Sequence, residues 1–387
     1  MSRFTASGTG AALAAGTVAS YAAGVLLGYP VLVMLAVGAL AMFAMGGLAL
    51  AVRPSVTLTR QVSPDRTTVG EPALGRLDVR NLSRWPAPAF TAIDQVGTAG
   101  VSLPVGVVSG RGRRSVYYPI QADQRGLLRL GPLTVERRDP LGLFVWKQRQ
   151  AGDAVLWVHP RVHPMRPLPV GVVPDYEART TENARLGTVT FSSLREYVPG
   201  DDPRQIHWRS TARTGLLIVR EHVDTTEPTT TVVLDTRDDT LGEEKFEYAV
   251  EIAASVVRAV EDVGRPVSLH VLGQRREDTL AAGARGTLDR LTLAERTTGT
   301  DPLRLIETVD RVAGGGALVV VTGPVEAGVL GRLAEQRRRF TPVVIVSVVP
   351  PDHATGTRRR PGMVVLTVRS AADGAGAWHR MVNGDLG

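Results

Sequence analysis

Residues 4–52 read FTASGTGAALAAGTVASYAAGVLLGYPVLVMLAVGALAMFAMGGLALAV, a run without Asp, Glu, Lys or Arg, whereas charge is plentiful from Arg53 onward. About twenty apolar residues in helical form span one hydrocarbon core, so this run is long enough for two crossings. Gly28-Tyr29-Pro30 falls in its middle, where Pro stops a helix and Gly relaxes the turn. The run therefore predicts a transmembrane helical hairpin, residues 10–27 going out and 31–52 returning. The second segment is marked more strongly, by Leu32, Leu35, Leu40, Phe43, Leu48 and Leu50. A buried hairpin in a soluble core is the bland alternative, but core helices seldom run this far without a charge. Arg3 precedes the run, Arg53, Arg60 and Arg66 follow it, and the connection carries no charge. The positive-inside rule then places both ends, and everything downstream, in the cytoplasm. A rival reads Arg3 and the first segment as a secretory signal cleaved near residues 20–22. Its basic region is thin, and the second segment would still leave the remainder cytoplasmic.

The chain has 387 residues, room for two or three domains, and a formal charge of +7 carried almost wholly by Arg, since Lys147 and Lys245 are the sole lysines. A nucleic-acid surface would gather arginines on one element with interleaved aromatics; here they are scattered, apart from short clusters at 337–339 and 358–360. With no cysteine, disulfides, zinc-thiolate sites and thiol nucleophiles are excluded.

From 55 to 160 the pattern is that of short strands. Val56, Leu58 and Arg60 alternate with Thr57 and Thr59, and Leu77 and Val79 repeat the period of two. Asp139-Pro140-Leu141-Gly142 places Asp, Pro and Gly where a type I turn wants them. Short strands at this spacing predict a small β-sandwich.

The most distinctive stretch is 191–215, FSSLREYVPGDDPRQIHWRSTARTG. Pro199-Gly200 is a turn pair, and Asp202 before Pro203 predicts a helix start, running to about Arg213 and stopping at Gly215. On a helical period Gln205, Arg209 and Arg213 share one face, and Arg204, Trp208 and Ala212 another. Arg209 and Arg213 either fork a partner's carboxylates or pair internally with Glu196, Asp201 or Glu221, and the internal pairing is favoured. His207 is a candidate general base with Asp201 or Asp202, yet no Ser, Cys or second His stands in a recognisable relation to it; packing beside Trp208 is the simpler reading.

Beyond 225 strands and helices alternate. Residues 231–234, 267–272, 317–321, 343–349 and 363–368 read as apolar strands, and 303–312 and 325–339 as helices. Phe246, Ala249, Ile252, Ala253, Val256, Val257 and Val260 recur at helical spacing. A mostly parallel, doubly wound (Rossmann-like) sheet follows, with ligand chemistry expected beyond the strand C-termini, at Asp235 and Thr322. Gly314-Gly315-Gly316 precedes a strand rather than following one, which argues against a phosphate loop.

Arg195-Glu196-Tyr197, Gly200-Asp201-Asp202-Pro203-Arg204, Ile206-His207-Trp208, Ala212-Arg213 and Arg220-Glu221 together resemble the signature of the family called domain of unknown function 58. Arg125-Gly126, Leu130-Gly131-Pro132 and Asp139-Pro140-Leu141-Gly142 resemble its lead-in. The resemblance implies a bacterial membrane-anchored protein with a von Willebrand factor A-like domain at the C-terminal end. It implies partnership with a MoxR-type AAA+ ATPase, the company of transglutaminase-like membrane proteins, and no settled enzymatic activity. Such a domain can hold a divalent cation through Asp-x-Ser-x-Ser plus a later Thr and Asp. Here the loop is Asp235-Thr236-Arg237-Asp238-Asp239 and the later strand ends Thr322-Gly323-Pro324, so Asp235, Asp239 and Thr322 form a degenerate site with a cation in place of a serine.

The combined expectation is a multidomain chain: a transmembrane hairpin (1–53), a β-sandwich (55–160), a family-motif segment (161–224) and a von Willebrand A-like α/β domain (225–387). It would be a multi-pass protein of the cell (inner) membrane, working as a non-enzymatic scaffold in envelope assembly or chaperoning, without cofactor, metal or nucleic acid. Its contact candidates are Arg195, Glu196, Tyr197, Asp201, Asp202, Arg204, His207, Trp208, Arg209 and Arg213. Enzymatic use of His207 and metal-dependent adhesion at Asp235 are the alternatives.

Overall fold

The computed structural model describes residues 2–150, 152–169, 189–198, 206–224, 228–281, 283–298 and 301–384. The chain forms two compact units, Met1–His159 and Pro160–Gly387.

The first unit opens with strand β1 (Ser2–Ala6), followed by helices α1 (Gly8–Leu27) and α2 (Pro30–Ala51). Gly28, with φ 72°, ends α1 in the left-handed region, and Pro30 opens α2, where its missing N–H costs nothing. Both helices are long and apolar enough to cross a membrane, at about 30 Å each for a rise of 1.5 Å per residue. A methyl group on Gly24 would lie 2.8 Å from Val33 Cγ2, so the glycine lets the two helices approach. The outer faces are bare: Leu26 is 83% exposed, and Met34 and Leu48 are each 74% exposed.

Strands β2 (Val56–Ser63), β4 (Ala73–Asn81) and β7 (Arg113–Ile120) form one antiparallel sheet. The facing sheet holds β1 with β3 (Arg66–Thr68), β5 (Phe90–Val96), β6 (Ala99–Val105), β8 (Gly126–Arg138), β9 (Phe144–Gln150) and β10 (Ala154–His159). Inward residues of both sheets, among them Leu58, Leu77, Leu133 and Leu156, share one buried cluster. Alternation along the strands produces it: β4 buries every second residue.

β1 was not foreseen. The expectation treated Arg3 as a flanking charge, whereas residues 2–6 pair with β9 along their length. The hairpin is thereby rooted at both ends in one sandwich. Ser7 caps α1, accepting from Gly10 N at 2.9 Å, while its N–H donates to Leu143 O at 2.8 Å and its hydroxyl to Gly142 O at 2.5 Å. Those carbonyls belong to the turn after Asp139, which closes with Gly142 N on Asp139 O at 3.0 Å. Cleavage near residue 20 would remove this strand and cap.

Inside the sandwich Arg60 and Asp94 form an ion pair at 2.5 Å with side chains 1% and 0% exposed. Arg60 also donates to the carbonyls of Leu130 and Gly152, and the Tyr118 hydroxyl donates to Asp94. Burial, then the bond to Asp94, pushes the Tyr118 phenol well above its ordinary range. Gly75 makes room for that ring, since a Cβ there would sit 2.5 Å from Tyr118 Cζ.

In the second unit β11 (Val189–Glu196) and β12 (Ile218–Asp224) form an antiparallel pair, with α3 (Trp208–Thr214) between them in sequence. A six-stranded sheet follows. Its strands are β13 (Thr230–Leu234), β14 (Val267–Val271), β15 (Leu318–Thr322), β16 (Val343–Val348), β17 (Gly356–Arg360) and β18 (Met363–Val368), in the spatial order β14-β13-β15-β16-β18-β17. All pairings are parallel except β17 with β18. Helices α4 (Glu243–Glu261) and α9 (Ala371–Asn383) share one core with Val232, Leu234, Val319 and Val321. Helices α7 (Leu303–Arg311) and α8 (Ala327–Glu335) share the other with Val233, Leu318 and Val320. Two short helices, α5 (Arg276–Ala281) and α6 (Thr287–Thr292), follow β14. Apolar strands buried on both faces thus give the doubly wound α/β arrangement.

One expectation needs correction. The helix predicted over 325–339 ends at Glu335 and tightens into a 3-10 turn. The basic cluster 358–360 lies in an exposed antiparallel edge strand, where charge discourages pairing with another chain.

Replacing Asp94 with Ala leaves the Arg60 guanidinium buried without its counter-charge, so the unit should lose about 3–5 kcal/mol. Denaturant unfolding of the Asp94→Ala variant followed by Trp fluorescence measures this loss.

Candidate functional site

The C-terminal edge of the parallel sheet is where ligands bind in open α/β folds. β13 delivers Asp235 there and β15 delivers Thr322, both essentially inaccessible to solvent. Arg237 folds back from the next loop onto Asp235. Its Nε lies 3.0 Å from Oδ1 and its Nη2 lies 2.8 Å from Oδ2, with 5% of its side chain exposed. Arg237 N donates to Oδ1 at 3.2 Å, and the Thr322 hydroxyl donates to Oδ2 at 2.7 Å. Burial weighs against the guanidinium charge, but the bond to Asp235 and the attraction of Asp235, Asp239 and Asp301 outweigh it, so proton loss from Arg237 is harder than usual.

The donor set therefore does not fit a divalent ion. A hard cation needs open carboxylate oxygens, and both oxygens of Asp235 already hold a tethered cation. Asp239 is exposed beside a hollow of about 70 Å³ that Arg237 and Thr322 also line. Gly323 stands where an acidic ligand was expected because the chain is pressed against the preceding loop, and a Cβ there would lie 2.3 Å from Thr240 O. Thr236 is likewise spent on structure, donating to Leu272 O at 2.9 Å and meeting the Thr297 hydroxyl at 2.8 Å.

The family motif is assembled differently from the expectation. Residues 199–205, with Asp201, Asp202 and Arg204, lie outside the described residues. The described helix begins at Trp208, with His207 in the cap position, and ends at Gly215 with φ 75°. His207 N donates to Ile218 O at 2.7 Å and Tyr197 N to Leu217 O at 2.8 Å, while Ile218 N donates to the Thr211 hydroxyl at 3.0 Å. These bonds tie α3 to the β11–β12 pair, on which Arg195 faces Val219 and Glu196 faces Ile218.

What the motif leaves exposed is apolar and cationic. Trp208 is 67% exposed, and Leu194, Val198, Leu216 and Leu217 are all exposed. Arg209 and Arg213 are exposed too, and neither makes an ion pair among the described residues; of the acids expected to pair with them, Asp201 and the Glu221 side chain lie outside the described residues. Trp208 does not pack against His207 in a core. A serine does stand in relation to His207 after all: Ser210 Oγ lies 2.7 Å from Nδ1, one turn along α3. A three-residue spacing missed in the sequence was the available signal.

Residues 193–354 match the family described as protein of unknown function DUF58. No curated protein matches. Among solved structures the chain is similar to the CARDB domain of the PF1109 protein from Pyrococcus furiosus, in complex with di-metal ions, at 15% identity and a TM-score of 0.22, covering 28% of this chain and 94% of that one. It is similar to red sea bream transglutaminase at 20% identity and a TM-score of 0.20, over 28% of this chain and 15% of that one. A third is the Pseudomonas fluorescens alkylpurine DNA glycosylase AlkC bound to DNA, at 12% identity and a TM-score of 0.20, over 34% of this chain and 40% of that one.

Titrating the protein with magnesium or manganese should give a flat calorimetric isotherm. Arg237→Ala should lower stability by about 3–5 kcal/mol by stranding the Asp235 charge, read from its denaturant midpoint.

Proposed function

We propose that this chain, whose residues 193–354 match the family described as protein of unknown function DUF58, is a membrane-anchored, non-enzymatic docking protein for a MoxR-type AAA+ ATPase. The observation that carries the reading is the exposed Trp208 beside Arg209 and Arg213 on a helix fixed by backbone bonds. Trp and Arg are the side chains that most often dominate protein–protein binding energy, and a rigid element presents them at low entropic cost.

In this reading α1 and α2 cross the bilayer as a hairpin, lipid covering the bare faces of Leu26, Met34 and Leu48. The anchoring of β1 and β2 in one sandwich supports both ends lying on the same side. The flanking arginines favour the cytoplasmic side of the cell (inner) membrane, where an ATPase has its nucleotide. The α/β domain is taken as von Willebrand A-like with its cation edge closed by Arg237, so it acts as a surface rather than a metal-dependent adhesion module. An envelope-related assembly or chaperoning role, beside a transglutaminase-like membrane protein, fits such a platform.

The His207–Ser210 contact favours a second reading, a hydrolase or transferase with Ser210 as nucleophile and His207 as base, aided by Asp201 or Asp202. Against it, the contact lies within one short helical turn and Nε2 has no orienting carboxylate among the described residues.

The test is co-purification of the full chain with a MoxR-type ATPase of the same cell, with and without ATP. Trp208→Ala and the double change Arg209→Ala, Arg213→Ala should each weaken association at least about tenfold without moving the melting temperature. Lack of association in wild type removes the main support. Loss of function in Ser210→Ala with association intact would favour the enzyme.

A further inference from the structure

The side of the sheet away from β17 ends in β14, and a cleft of about 870 Å³ runs along that free edge. Its walls come from the loop after β14, from the α5–α6 segment and from α7. They carry Arg275, Arg285, Arg290, Arg304 and Arg311 against, among the described residues, the single carboxylate of Glu307. Arg311 pairs with Glu307 at 2.9 Å. Arg275, Arg285 and Arg304 are exposed and have no carboxylate partner among the described residues.

The floor is equally rich in donors. Thr230 N donates to Pro266 O and Leu272 N to Leu234 O, each at 3.0 Å, so the even-numbered residues of β14 turn their main-chain groups toward β13. Residues 267, 269 and 271 turn theirs toward the cleft. Two of those carbonyls are already taken, Leu269 O by Arg290 Nη1 at 2.9 Å and Val271 O by Gln274 N at 3.1 Å. The N–H groups of Leu269 and Val271 are left without acceptors among the described residues. Gln274 Oε1, buried in the same wall, is left without a donor.

We propose that this cleft holds an extended acidic peptide segment of a partner protein. Its main-chain carbonyls accept from the open edge of β14, one of its amides serves Gln274 Oε1, and its carboxylates lie in the forks of Arg275, Arg285 and Arg304. Strand addition at a free edge and bidentate capture of carboxylates by Arg are both established recognition modes. The volume suits a few residues rather than a folded surface. A compact phosphate would satisfy the arginines but leave the edge donors unmet, which is why the peptide is favoured. This surface is separate from Trp208 and stands or falls independently of the ATPase reading.

The full chain in detergent is titrated with a fluorescein-labelled peptide of alternating Glu and Val, followed by anisotropy. Saturable binding is expected, weakened about tenfold or more by the double change Arg275→Glu, Arg304→Glu, and separately by N-methylation of alternate peptide amides. Arg285→Glu supplies a second variant should the double change alter the melting curve. Absence of binding, equal binding by the variants, or displacement by inorganic polyphosphate with no effect of N-methylation would overturn the proposal, the last result marking a general anion site.

Discussion

The guanidinium of Arg237 lying on the carboxylate of Asp235 decides what the α/β domain can be. An acidic group at the end of a central parallel strand is buried where water cannot stabilise it, so it must find a cation or lose its charge. A mobile metal ion would make this edge a ligand site; a tethered arginine makes it a closed structural joint. Thr322 and the glycine after it complete the joint, the first by donating to Asp235 and the second by letting the chain pass close to Thr240. With that edge closed, the exposed side chains that stand out on the unit are Trp208 on α3 and the arginines along the free side of β14.

Much of the architecture was legible because burial leaves a periodic trace. The uncharged run with Gly28 and Pro30 in its middle gave two helices within two residues of their observed bounds. Strands such as Leu318–Thr322 are apolar from Leu318 to Val321 because both faces are covered, and the pattern says so without ambiguity. The apolar stripe of α4 from Phe246 to Val260 is buried as its spacing required. β1 escaped notice because five residues before a long apolar run carry no period of their own, and their partner β9 lies far along the chain.

The candidate site was less legible, for a physical reason. A sequence shows that Arg237 replaces a serine, but not that the side chain folds back over its own loop to take both oxygens of Asp235. Arg209 and Arg213 are both exposed on α3, and helix orientation, which a sequence does not encode locally, decides that. The contact between His207 and Ser210 depends on where the helix begins, and Asp202-Pro203 suggested an earlier start than Trp208. The cleft beside β14 had no local signature at all, because its arginines come from three separated segments.

Rigid rooting of the hairpin in the sandwich and rigid tethering of α3 to its strand pair share one logic: main-chain bonds, helped by the Ser7 and Thr211 hydroxyls, hold the element, leaving its larger side chains free for other company. Whether Trp208 keeps such company is the central question. A photo-crosslinking amino acid placed at position 208 of the full chain in native membranes, with the adduct identified by mass spectrometry, addresses it most directly. One dominant adduct with the AAA+ ATPase is expected, lost when Arg209 and Arg213 are both replaced. Adducts with lipid, or none above background while the chain remains functional, would contradict it.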